Sequence, residues 1–192
     1  MAEASGTITA NAKYETAFKY KQDGNEAFKA KNFKLAIRNY HKALLYIRGI
    51  DQHAVKLPAM LGNARQQRDR EQRQSELTEE LTGSVDALKV DTYNNLTAAL
   101  LQCEDRFDLQ KILEYCDEVA ELSPNNQKCL FRRGQAYARA GDYEEAERCL
   151  LKARELLKEK DPAIEKLLVT CRQNLKVQHE KQRSMCRNMF GS

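Results

Sequence analysis

The sequence predicts an all-α fold, a helical-repeat solenoid, and three observations carry that expectation. Apolar residues recur at spacings of three and four, the mark of helices with one packing face, while long β-branched alternation and Asn-Gly hairpin turns are missing. Of the 192 residues, 31% are charged and 7% aromatic, with no Trp and three Pro, a composition suited to charged helices. The chain also aligns with itself at a period of 34 residues, enough for two helices and a turn.

The elements follow in order. Residues 1–10 read as a flexible start, and the repeat region spans 11–160. Repeat one (17–50) and repeat three (127–160) share Gly at the eighth position, Gly24 and Gly134. They share a small and an aromatic residue at the eleventh and twelfth, Ala27 with Phe28 and Tyr137 with Ala138. Ala follows at the twentieth, Ala36 and Ala146, and at the twenty-seventh, Ala43 and Ala153. Repeat two (89–126) is less regular. Its helices are expected at 89–103 and 109–124, the second ended by Pro124, which a helix interior excludes. Asn95 and Arg132 lie 37 residues apart rather than 34, which assigns about three extra residues to the turn Glu104–Leu109.

Between repeats one and two lies an insertion, 51–88, polar and near charge balance at 65–81, with a mobile middle expected. Leu77, Leu81, Val85 and Leu88 recur at helical spacing and would extend the next helix backward, whereas Gly83-Ser84 suggests a break or cap. After Asp161, Pro162 suits the first turn of a long seventh helix within 161–192. Ile164, Leu167, Leu168, Cys171, Leu175 and Gln178 follow one face of it, fitted to cap repeat three. Met185, Met189 and Phe190 make a second apolar group near its tip.

Several function classes are disfavoured. The net charge of +4 is mild and interleaved, unlike the concentrated basic stripe of a nucleic-acid reader. The first residues lack the basic and apolar regions of a secretory signal, Ala2 stands where myristoylation needs Gly, and no apolar run is long enough to cross a membrane. A cytoplasmic location is therefore expected. The six cysteines (Cys103, Cys116, Cys129, Cys149, Cys171, Cys186) include no Cys-x-x-Cys pair, and His41, His53 and His179 are scattered. Buried, reduced thiols are expected, with no metal and no cofactor. The sequon Asn95-Leu96-Thr97 has no secretory context. No phosphate loop or nucleophile motif appears, so no enzyme is expected.

The shared positions of repeats one and three resemble the tetratricopeptide repeat. The resemblance implies three helix-turn-helix repeats plus a C-terminal capping helix, with the first helix of each repeat lining a concave surface. On those helices stand Lys21 and Asn25, four apart, then Asn95, then Lys128 and Arg132, four apart. Like charges at that spacing cost a few tenths of a kcal/mol on a helix, so either the face is solvated or an anion sits on it. The set resembles the carboxylate clamp of repeat-containing co-chaperones, in which Lys and Asn come from the first helix, Asn from the third, and Lys and Arg from the fifth. That resemblance implies a ligand: the C-terminal Glu-Glu-Val-Asp of cytosolic heat-shock chaperones, the ninety-kilodalton one first and the seventy-kilodalton one second.

The tail EKQRSMCRNMF is similar to the end of the large repeat-containing immunophilins, with Cys186 where that family has an aromatic. Those proteins carry prolyl isomerase domains before their repeats. Only about ten residues precede repeat one here, so isomerase activity is not expected. The long insertion, LLYIRGID closing repeat one, YNNL opening repeat two and a final MFG resemble the tetratricopeptide repeat protein nine family. The role implied is a non-enzymatic adaptor, with a second protein partner reached through the insertion or tail. The alternative is a scaffold for an internal helix of a cytoskeletal or signalling partner. Calmodulin on the tail is a further alternative, since 161–192 carries six Lys and Arg against three Asp and Glu.

Overall fold

The structure, a computed structural model, describes residues 9–54, 79–157 and 159–190. Of the start expected to be flexible, only residues 1–8 lie outside these residues, since Thr9 caps and Ala10 begins the first helix; the middle of the insertion expected to be mobile lies outside them too. Among the described residues there are seven α-helices and no strand. They are α1 (Ala10–Lys29), α2 (Phe33–Ala54), α3 (Glu79–Gln102), α4 (Leu109–Leu122), α5 (Gln127–Ala140), α6 (Tyr143–Glu155) and α7 (Pro162–Phe190). A short 3-10 turn, Glu104–Arg106, occupies the stretch to which the extra residues of repeat two are assigned. The helices form two compact units, one up to Ala99 and one from Leu100 onward.

Six of the seven helix starts are written in their caps. Thr9, Asn32, Asp108, Asn126, Asp142 and Asp161 each accept a hydrogen bond from a backbone N–H two or three residues on. Such caps stabilise a helix by about 1 kcal/mol each. Asn32 and Asp142 are the sixteenth residues of their repeats. The residue before each is left-handed: Lys31 at φ 57° and Gly141 at φ 86°. One turn geometry therefore serves both repeats, with Gly in one and a strained Lys in the other.

The eighth-position glycines have a steric cause. A Cβ on Gly24 would sit 2.5 Å from the Tyr40 ring, and one on Gly134 would sit 2.8 Å from Leu150 Cγ. Tyr40 and Leu150 occupy the same repeat position, and both are buried. In repeats one and three the first helix thus lies against the second at a point where only hydrogen fits.

Helix α3 corrects one expectation. The break at Gly83-Ser84 does not occur, and the helix runs unbroken through both residues. Ser84 Oγ donates to Glu80 O at 2.9 Å instead of capping a new helix. Val85 and Leu88 are buried, and burial of that kind is worth about 1.5–3 kcal/mol per side chain, more than the ~1 kcal/mol that Gly costs a helix.

In the second unit, Ala146, Leu150 and Ala153 of α6 form a core with Ile164, Leu168 and Cys171 of α7. Helix α7 therefore packs on repeat three through its first three turns. Residues 176–189 of the same helix are all exposed, including Met185 and Met189.

Five cysteines are buried, and Cys186 is exposed, which corrects the expectation of burial for that residue. Burial pushes the Cys149 and Cys171 thiols above their ordinary pKa. The hydrogen bond with Cys129, and then burial, push up that of Cys116. These groups stay protonated and poorly nucleophilic at neutral pH.

Candidate functional site

One stripe of α1 carries Tyr14, Phe18, Lys21 and Asn25, spaced by four, three and four. Tyr14 and Phe18 stack, with ring centroids 6.4 Å apart, and the Lys21 ammonium lies 5.7 Å from the Phe18 centroid. Lys21 Nζ donates to Asp91 Oδ2 of α3 at 2.9 Å. One turn further along α3, Asn95 Nδ2 donates to Asn25 Oδ1 at 2.9 Å. The hydroxyl of Tyr40, from α2, donates to the same oxygen at 2.9 Å.

Asn25 is thus fixed through its oxygen by two donors. Its Nδ2 has no hydrogen-bond partner among the described residues. An amide held this way presents N–H groups without having to be ordered on binding, which lowers the entropic cost of association. The hydrogen bond to Asn25 and the half-buried position of Asn95 within a helix also leave no open loop for a sequon.

Lys128 and Arg132 stand on α5 in the second unit. Arg132 Nη1 reaches the Lys128 carbonyl at 3.4 Å, so the two lie on one face. Gln135 and Arg139 continue that stripe. Arg133, on another face, pairs with Asp117 of α4. Arg139 donates to Leu101 O at 2.6 Å and its guanidinium stacks 4.3 Å from the Phe107 centroid. Lys128 lies in the first turn of α5, where the helix dipole is positive and the turn itself holds no acidic residue. A cation there is electrostatically unfavourable in the absence of an anion. A groove of about 350 Å³ opens further along, between Gln135, Ala138 and Arg139 of α5 and Leu167, Thr170 and Asn174 of α7.

The structure therefore brings Lys21, Asn25 and Asn95 together in the first unit and sets Lys128 beside Arg132 in the second. Two neighbours of the site were missed in the sequence. Tyr40 has only Ala36, Ile37, Ala43 and Leu44 at helical spacing, which gives no sign of a polar role. Asp91 had a usable signal, since it stands four residues before Asn95 and so shares its face. Among the described residues no group of three or more His, Cys, Asp or Glu could hold a metal ion. No helix among them is long and apolar enough to cross a membrane.

Comparison with known proteins agrees with the repeat reading. The family "Tetratricopeptide repeat" matches residues 127–160. Tetratricopeptide repeat protein 9C of Xenopus tropicalis is 29% identical over 193 aligned residues, covering all of both chains. Peptidyl-prolyl cis-trans isomerase FKBP4 of Bos taurus is 25% identical over 98% of this chain, which spans only 35% of that protein's length. Among solved structures, the C-terminal repeat domain of a putative FK506-binding protein of Plasmodium falciparum aligns with a TM-score of 0.66 at 23% identity, over 90% of this chain and 96% of that one. The Hsp90 co-chaperone Cns1 of Saccharomyces cerevisiae aligns at 0.61 and 22% identity, over 92% of this chain and 46% of that one. The chain is all-α, carries a stretch at 127–160 that matches the tetratricopeptide repeat, and is similar along its whole length to tetratricopeptide repeat protein 9C.

Proposed function

We propose that the protein is a non-enzymatic adaptor of the co-chaperone type. It holds the C-terminal Glu-Glu-Val-Asp peptide of cytosolic heat-shock chaperones, the ninety-kilodalton one first. The residues are Lys21, Asn25, Asn95, Lys128 and Arg132. The observation that carries the reading is the Asn25–Asn95 hydrogen bond beside Lys21, which leaves the Asn25 amide N–H groups ready for an acceptor. A peptide ending in Asp presents two carboxylates close together. Lys21 and Lys128 offer compact charges, Arg132 a planar fork, and the asparagines neutral donors. The name of the yeast relative, an Hsp90 co-chaperone, favours the same ligand class. A cytosolic site of action is part of this reading.

Calorimetric titration of the full chain with a peptide ending Glu-Glu-Val-Asp tests it, beside the same peptide amidated. Binding is expected for the free acid and lost on amidation. Arg132→Glu is expected to weaken it by at least about tenfold, because it replaces an attractive charge with a repulsive one. Equal binding of the free and amidated peptides would sink the proposal.

A further inference from the structure

Lys21 is already occupied in the structure. Asp91 stands one turn before Asn95 on α3, and its carboxylate gives Lys21 what a peptide terminus would give, an anionic oxygen 2.9 Å from the ammonium. The two ends of this pair differ. The Lys21 side chain is 14% exposed and that of Asp91 is 60% exposed. The ammonium is held against α1, near the Phe18 ring, while the carboxylate stands mostly in water. Release of Asp91 returns a nearly hydrated group to solvent. Release of Lys21 with nothing in exchange would leave a largely buried cation unpaired, which is costly.

We infer that Asp91 is an internal competitor for Lys21. It occupies the ammonium until an acidic peptide terminus displaces it, and so lowers the affinity of the site for that terminus. This rests on the terminal-carboxylate reading above. The exchange consumes one carboxylate contact for each one it forms at Lys21, so a ligand with a single carboxylate gains little there. Asp91 thereby disfavours isolated anions at Lys21.

The test is Asp91→Asn in the full chain, titrated with the Glu-Glu-Val-Asp peptide as free acid and as amide. Asparagine keeps the size and removes the charge, and unchanged helical content and melting temperature show that the variant folds. The free acid is expected to bind the variant about five- to tenfold more tightly than wild type, with no gain for the amide. Wild type that binds the peptide, with a variant that binds it equally or more weakly, overturns the competitor role and leaves the clamp standing. An equal gain for acid and amide overturns it too, as a general charge effect. No binding to either protein means that the terminal-carboxylate reading fails and the inference falls with it.

Discussion

At Asn25 the packing of a repeat and the chemistry of a site meet in one side chain. The Tyr40 ring fills the space against Gly24, and its hydroxyl fixes the oxygen of Asn25, which in turn receives Asn95. Tyr40→Phe keeps the ring and removes the donor. It is expected to cost about 1 kcal/mol in urea unfolding and to weaken peptide binding by loosening the amide. Unchanged affinity, with that stability loss present, would show that the hydroxyl supports the fold without orienting Asn25. At this scale, the side-chain pairs of the candidate site were legible in the sequence. Lys21 with Asn25, and Lys128 with Arg132, are visible because four residues make one turn. The bonds from Lys21 to Asp91 and from Asn95 to Asn25 were not, because they join residues 70 apart and local spacing shows only which residues share a face.

Elements repeat more faithfully than residues do. The fifteenth position of the repeat is left-handed in both regular repeats, yet it holds Lys31 in one and Gly141 in the other. Lys31→Gly is expected to stabilise the protein by roughly 0.5 kcal/mol, the relief of a left-handed side chain less the entropy that Gly adds to the unfolded chain. Gly141→Ala is expected to destabilise it by about 1 kcal/mol. Denaturant midpoints of the two variants should move in opposite directions, and shifts of one sign would refute a shared turn. The helical period, the caps and the repeat positions of repeats one and three could all be read from the sequence. The backward extension of α3 could be read there too, but not its passage unbroken through Gly83-Ser84. A Gly-Ser pair signals a break by propensity, and the buried face of Val85 and Leu88 outweighs that signal.

The whole molecule consists of two compact units, and its sulfur is unevenly divided between them. All six cysteines lie in the unit that begins at Leu100, and the unit up to Ala99 has none. The count and the separation of the thiols were plain from the sequence. The odd one out was not, because the apolar pattern of α7 continues past the residues that pack, and Cys186 lies on the exposed stretch beyond them. The consequence is a built-in reporter. A maleimide dye should modify one thiol in the native protein, Cys186, and six in denaturant, counted by intact mass. The five slow sites then time the opening of the second unit alone, while circular dichroism follows the helices of both. Coincident curves would mean that the two units unfold as one. Helix loss ahead of alkylation would mean that the thiol-free unit opens first.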